Sequence, residues 1–325
     1  MIGKVAFEPV TGVDETTFVL DAGFSADQGF PLARDLRPRV LHFLEAERHP
    51  SYETFLVSDD IFPGGQFYEA LGDLDPIGKL GFEELLIQLR KRAQQGDQSL
   101  NPLDQTLRIG VVRLIWCVTH ANRHPEKIYL NCAKRWASAS NCHVVSFNWD
   151  LLPETCLTRV GGAWSYTLAK QGTPILKPHG SVNWTSVKQH PELTSGYGGW
   201  VGVDPASTVS YDGSDPLANP FEQEINSDLR YCVYPGDPDA TDTHPDVALL
   251  WRDVRQAISV SDRVVFIGYS LPDYDNYSAD VLSHACSGKV VEVWDPSKHT
   301  LDRYAAIFAN SELHEATFGQ TPYAS

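Results

Sequence analysis

The chain has 325 residues, of which 42% are hydrophobic, so it is long enough to bury a sizeable core in one large or two modest domains. It carries 26 Lys and Arg against 42 Asp and Glu, which gives a formal net charge of -16. A chain this acidic is not expected to bind nucleic acid or an anionic membrane surface directly.

The cysteines and the N-terminus both favour a reducing compartment. The six cysteines are scattered, and no two of them form a C-x-x-C pair. The N-terminus lacks the basic and apolar regions of a signal peptide, and no apolar run approaches the roughly 18 residues that span a bilayer. We therefore expect a soluble, cytoplasmic protein.

The first element in the chain is a short apolar run that leads into a helix start. Phe18–Leu20 is apolar and partly β-branched or aromatic, which predicts a buried strand. Ser25 and Gln28 have the spacing of a capping box, so a helix is predicted to begin there, after a turn on Gly23. Free backbone N–H groups at such a turn suit a phosphate, although an ordinary strand-to-helix turn is an equal alternative.

The residues that follow predict a helical insertion, over residues 37–140. Apolar side chains recur at three- and four-residue spacings in the segments 81–90 and 107–120. Turn signals at 63–65 and 75–76 and a polar link over 94–102 separate the predicted helices. We interpret the apolar stripes as core packing and assign no chemistry to them.

Four further β-type runs follow, at 143–147, 174–177, 263–267 and 289–294, and helices are predicted at 245–258 and 276–285. Apolar strands that are separated by helices predict an α/β fold, a doubly wound (Rossmann-like) and mostly parallel sheet with a helical insertion. The predicted domains are 1–36 with 141–325, which form the Rossmann-like unit, and the insertion at 37–140.

An acidic loop excursion is predicted over about 186–243. Between Asp204 and Asp246 there are ten acidic residues and one basic residue, Arg230, in a segment rich in Gly, Pro and Ser. A solvated irregular loop is the favoured interpretation, and a lid or a partner-docking surface is the alternative.

Polar or small residues follow all five predicted strands. In an open parallel sheet, ligands bind beyond the carboxyl ends of the strands. A coincidence of five such ends at one edge therefore predicts a nucleotide site there. The residues concerned are Gly23 and Ser25, Asn148 and Asp150, His179, Gly268 to Ser270, and Asp295.

Four of these blocks, in order and spacing, resemble the sirtuin superfamily, and most closely its bacterial sirtuin-like branch of NAD-consuming antiphage defence proteins. The blocks are Phe18 to Pro31, with Ala22-Gly23-Phe24-Ser25 at its turn, then Phe147-Asn148-Trp149-Asp150, Lys177-Pro178-His179-Gly180-Ser181 and Gly268-Tyr269-Ser270-Leu271-Pro272.

The resemblance implies an NAD glycohydrolase, with NAD as its substrate and with Asn148 and His179 as its catalytic residues. Asn148 would position water at the nicotinamide ribose, and His179 would be the general base. The other residues would bind NAD: Ala22, Gly23 and Ser25 at the phosphates, Asp150 at the nicotinamide, Gly268, Tyr269 and Ser270 at the adenosine-phosphate side, and Asp295 at the adenosine ribose.

Two departures from the family pattern matter. The paired C-x-x-C motifs of protein-deacylating sirtuins are absent, which disfavours peptide deacylation. Cys117, His120 and His124 have metal-like spacing but no clear fourth ligand, so no metal is expected.

The second departure is Asp21, which places a carboxylate where the family has a glycine beside the pyrophosphate. It favours an alternative function, a catalytically weak or inactive sirtuin-like scaffold or regulatory subunit that acts with a partner such as an ATPase. For the enzyme, we expect a homo-oligomer or a partner protein to switch the activity on.

Overall fold

The structure is a computed structural model, and it describes residues 15–47, 66–186, 200–204, 208–211, 232, 234 and 245–325. Ten strands lie in these ranges: β1 Thr16–Leu20, β2 Cys142–Ser146, β3 Trp164–Ser165, β4 Thr173–Leu176, β5 Trp184–Ser186, β6 Trp200–Asp204, β7 Thr208–Tyr211, β8 Arg263–Ile267, β9 Val290–Asp295 and β10 Ser311–Glu315.

Ten α-helices accompany the strands in the described ranges. None of them is both long enough and apolar enough to cross a membrane. They are α1 Ala22–Ser25, α2 Ala33–Glu47, α3 Gln66–Leu74, α4 Phe82–Gln94, α5 Asn101–Ala121, α6 Lys127–Ser138, α7 Leu152–Arg159, α8 Pro245–Ser259, α9 Asn276–Ala285 and α10 Lys298–Ile307.

Seven strands form one sheet in the order β10-β9-β8-β1-β2-β4-β3, and every neighbouring pair in it is parallel. All five strands that the sequence predicts belong to this sheet. The predicted α/β, doubly wound, Rossmann-like fold is therefore confirmed.

Side chains of β1 alternate between two cores, because successive residues of a strand point to opposite faces of the sheet. Phe18 and Leu20 pack with residues of α6 and α7 on one face. Val19 packs with residues of α8, α9 and α10 on the other face. Both faces of the central strand are thus covered, which is why its run is apolar without a polar alternation.

A third core holds the helical layer together, through residues of α2, α3, α4 and α5. The helices predicted at 81–90 and 107–120 are confirmed as parts of α4 and α5. Helix α6 differs from them, since Tyr129, Cys132 and Trp136 pack into a sheet core. The division into domains at residues 36 and 140 stays a prediction.

The prediction of an irregular excursion over 186–243 is wrong where the structure describes it. There β6 and β7 pair in antiparallel fashion, and β7 also pairs with β5, in a second sheet of three strands. Strand β10 was also not predicted, because Ser311–Glu315 is a polar edge strand with no apolar run. The rest of the excursion lies outside the described residues.

Two glycines bring the ends of β1 and β8 into backbone contact. The N–H of Gly23 donates to the carbonyl of Gly268 over 3.1 Å. A Cβ on Gly23 would lie 2.6 Å from Gly268 Cα, and a Cβ on Gly268 would lie 2.4 Å from the Gly23 backbone. Gly268 also has a φ of +65°, which side chains with a Cβ rarely adopt. Only glycine therefore fits at this crossing.

We predict that Gly268→Ala lowers the free energy of unfolding by more than about 2 kcal/mol, through overpacking and positive-φ strain together. Gly288→Ala isolates the strain, since its φ is +76° but no atom lies within 4 Å of the added Cβ. It should cost about 1 kcal/mol. Gly72→Ala on α3 meets neither obstacle and should be neutral or stabilising. Equal urea midpoints for the three variants would contradict the claim that the close approach of Gly23 and Gly268 excludes a Cβ.

Candidate functional site

A cavity of about 340 Å³ lies at the carboxyl ends of the central strands. Strands β2 and β4 lie on one side of β1 in the sheet, and β8 and β9 lie on the other side. The strand order therefore reverses between β1 and β8. Such a switch point is where open parallel sheets bind ligands. The cavity is bordered by residues that follow β1, β2, β4 and β8 and by the end of β9.

Nine of the ten predicted site residues line this cavity. They come together because the carboxyl ends of parallel strands converge at one edge of the sheet. Their binding and catalytic roles stay predictions. The nine are Ala22, Gly23, Asn148, Asp150, His179, Gly268, Tyr269, Ser270 and Asp295.

The tenth residue, Ser25, lies beneath the cavity wall with an exposure of 0%. The predicted capping box is wrong, because Ser25 makes no side-chain cap bond and ends a four-residue helix. Its hydroxyl instead donates to Asp150 Oδ2 over 2.9 Å and accepts from Asn148 Nδ2 over 3.1 Å. Ser25 thus holds two cavity residues in place, and its predicted phosphate contact stays a prediction.

Asp150 is anchored on both carboxylate oxygens. Oδ1 accepts from the backbone N–H of Leu152 over 2.9 Å, and Oδ2 accepts from Ser25. Burial raises the pKa of Asp150, while the charge of the buried Lys177 and these hydrogen bonds oppose the rise. Lys177 also donates to Glu154 Oε1 over 3.1 Å. The carboxylate is therefore fixed in orientation before any ligand binds.

His179 follows β4 and packs its ring edge-on against Phe147, with ring centroids 4.8 Å apart. The His179 side chain is 5% exposed, and its Nε2 lies 3.6 Å from Asp275 Oδ2. The His179 carbonyl accepts from Trp149 Nε1 over 3.1 Å, which ties this loop to the loop of Asn148. Asn148 and His179 therefore reach the same cavity from neighbouring strands.

Four ionisable residues of the cavity lining were not predicted from the sequence: Arg34, Glu83, Tyr274 and Asp275. Glu83 belongs to the first turn of α4, a helix that carries only a packing signal in the sequence. Asp275 is the N-cap of α9, and its side chain accepts from the N–H of Ser278. An acid directly before a predicted helix start, close behind a strand end, was the available signal for Asp275.

The described cavity lining is rich in carboxyl groups and contains a single Lys or Arg residue, Arg34. Burial raises the pKa of Asp21 to about 8, with the charges of Asp275, Glu83 and Asp150 adding to the rise and the Ala22 backbone opposing it. Burial, with the charge of Glu84, raises the pKa of Glu83 to about 7. Asp21 is therefore mostly protonated at neutral pH, and the repulsion that we expected between it and a phosphate is largely removed.

Part of the acidic excursion packs beside these loops. Cys232 forms an antiparallel bridge with Gly180, the residue after His179. Tyr234 contacts Trp149 with ring centroids 4.7 Å apart, and Arg108 of α5 lies 4.3 Å from the centre of the Tyr234 ring. This bridging segment, residues 232 and 234, therefore joins the loops of Asn148 and His179 to the helical layer.

No group of three or more His, Cys, Asp or Glu side chains within the described ranges is arranged to hold a metal ion. Cys117 and His120 both lie on α5, and Cys117 is exposed there.

No protein-family model and no curated protein matches the chain. Solved structures that align with it over 93% of its length include a sirtuin from a study of substrate affinity, Sir2Tm bound to a propionylated peptide, and a Sir2 protein with the inhibitor EX-527, 2'-O-acetyl-ADP-ribose and a deacetylated p53 peptide. The identities are 15%, 12% and 13%, the alignments cover 88% of each of those chains, and each TM-score is 0.38.

We predict that the pKa of Asp21 makes folding stability depend on pH. Between about pH 4 and pH 8 the carboxyl ionises in the unfolded chain but stays protonated in the fold, so stability falls as pH rises, by up to about 1.4 kcal/mol per pH unit. Asp21→Asn removes this dependence. Urea unfolding should therefore show that the variant becomes more stable, relative to the wild type, as the pH rises from about 4 to 8. The matched control is Asp35→Asn, at an exposed position, which should follow the wild-type curve.

Proposed function

We propose that this protein is an NAD glycohydrolase, which cleaves NAD to nicotinamide and ADP-ribose. The observation that carries the proposal is the convergence of Asn148 and His179 on one cavity at the switch point of a parallel sheet. An amide and an imidazole in one cleft are the groups that can orient a water molecule and accept its proton. The family resemblance of the four sequence blocks supports the choice of NAD.

In the proposed reaction the bond between the ribose C1' and the nicotinamide nitrogen breaks, and its electron pair leaves with the ring. The ring nitrogen of bound NAD is cationic, so nicotinamide departs neutral and needs no proton from the protein. The oxygen of a water molecule, oriented by Asn148, then bonds to C1', and His179 accepts the proton that the water loses. ADP-ribose is the second product.

The acidic lining supports cleavage at this end of NAD. Positive charge moves from the ring to the ribose C1' as the bond breaks, and fixed negative groups stabilise such a charge most strongly in a cavity that excludes water. Asp150 and Asp275 are both buried and both line the cavity. The pyrophosphate would be met by the protonated form of Asp21, which can donate a hydrogen bond.

The product chemistry implies a biological role. An enzyme that only hydrolyses NAD depletes a shared cofactor, so its activity must be held back until it is needed. We propose that the protein is an antiphage defence effector in the cytoplasm, and that assembly into a homo-oligomer or a partner protein, for example an ATPase, activates it.

A scaffold or regulatory subunit that binds NAD weakly is the second candidate. It is favoured by the hydrogen bond between the Gly23 N–H and the Gly268 carbonyl, because that N–H is then not available to a phosphate. The excess of carboxyl groups over Arg34 in the lining favours it as well.

Purified wild-type protein, alone or with the protein encoded by its genomic neighbour, should convert NAD to nicotinamide and ADP-ribose. We predict that Asn148→Ala and His179→Ala each lower this rate by about a hundredfold or more, since each removes a group that acts on the water. His284→Ala is the matched control, because this histidine is exposed on α9 and should leave the rate unchanged. Equal rates for all four proteins would rule out the assignment.

Asp21→Gly separates the two candidate functions. If the carboxyl blocks the phosphate position, this variant should bind NAD at least about tenfold more tightly than the wild type by calorimetry, a gain of about 1.4 kcal/mol. Unchanged affinity, with Asp21→Asn as the isosteric control, would remove the support that Asp21 gives to the scaffold.

A further inference from the structure

Asp275 occupies a position that its role as a helix cap does not fully explain. It lies directly before α9, and its Oδ1 accepts from the backbone N–H of Ser278 over 3.3 Å. Its Oδ2 faces the other way and accepts from the hydroxyl of Tyr269 over 3.1 Å. The two donors come from different parts of the chain, so they fix the plane of the carboxylate. The residue is also buried, with an exposure of 4%.

The second oxygen of Asp275 is directed at the imidazole of His179. Oδ2 lies 3.6 Å from His179 Nε2, and the hydroxyl of Ser278 lies 3.4 Å from the same nitrogen. Phe147 contacts the imidazole edge-on and stacks on Tyr269 at 4.6 Å with an interplanar angle of 2°. The ring of His179 is thus confined by aromatic packing while one of its nitrogens faces a carboxylate.

We propose that Asp275 is the positioning residue of His179, keeping the proton on Nε2 so that Nδ1 is the nitrogen that accepts the proton of the attacking water. This inference rests on the proposed hydrolysis of NAD. The O–H bond of water breaks as its oxygen bonds to the ribose C1', and the proton goes to Nδ1. Asp275 takes no part in the bond changes and faces the imidazolium that forms.

The physical basis is the preference of a carboxylate for an N–H donor over a nitrogen lone pair. A carboxylate only accepts hydrogen bonds, so the tautomer with hydrogen on Nε2 is favoured beside it. At 3.6 Å the contact exceeds hydrogen-bond length, as catalytic hydrogen bonds often do before the substrate binds. The other ionisable side chains that line the cavity with His179 are Asp21, Arg34, Glu83, Asp150, Tyr269, Tyr274 and Asp295.

The test is Asp275→Asn, which keeps the shape of the side chain and an oxygen that can cap α9, and removes the charge. We expect kcat for NAD hydrolysis to fall about 10² to 10⁴-fold, with KM and the thermal midpoint close to the wild-type values. The acidic limb of the kcat/KM profile should move to lower pH, because the imidazolium loses its counter-charge. An unchanged kcat, or an unchanged acidic limb, would overturn the proposal.

Nitrogen-15 NMR of the histidines gives a readout that does not require activity. The signals of His179 are assigned by their loss in His179→Gln. In the wild type they should show a hydrogen on Nε2 and none on Nδ1. Asp275→Asn should lose this preference, whereas Asp280→Asn, at an exposed position of α9, should keep it. Hydrogen on Nδ1 in the wild type would overturn the inference. If the wild type has the expected tautomer but does not cleave NAD, the proposed function fails, and only the placement of the Nε2 hydrogen by Asp275 stands.

Discussion

The backbone contact between Gly23 and Gly268 is the constraint on which the site depends. It continues the pairing of β1 and β8 past their carboxyl ends, at the point where the strand order reverses, and it leaves no space for a Cβ on either side. The loops that leave these strands consequently diverge from one fixed point, and the cavity lies between them. Asp21, one residue beyond β1, and Tyr269, two residues beyond β8, are placed in the lining by this contact.

Burial and charge work together in this cavity. Asp21 and Glu83 have raised pKa values because water is excluded, so the lining carries less negative charge at neutral pH than its composition indicates. Asp150 keeps a nearby counter-charge in Lys177, which opposes the effect of its own burial. The acids near α4 and β1 are therefore mostly neutral at pH 7, whereas the carboxyl behind β2, Asp150, has the charge of Lys177 nearby.

The sequence predicted the parts of the fold that depend on local periodicity. Five buried strands and their polar ends were identified because apolar runs and turn residues are properties of neighbouring positions. Glu83 and Asp275 were missed as site residues because their presence at the cavity results from the packing of α4 and α9, which no local pattern encodes. The capping box at Ser25 failed for a similar reason, since Asp150 and Asn148, which lie more than a hundred positions away, take up its hydroxyl.

The bridging segment at residues 232 and 234 has a dynamic consequence. Cys232 pairs with the residue after His179, and Tyr234 contacts Trp149, which lies between Asn148 and Asp150. Tyr234 is also covered by Arg108 of the helical layer. The loops after β2 and β4 are therefore expected to open together as one cooperative unit of local unfolding, at a free energy set largely by this segment. Hydrogen exchange of their backbone amides should therefore give one common free energy of opening, although the loops follow different strands.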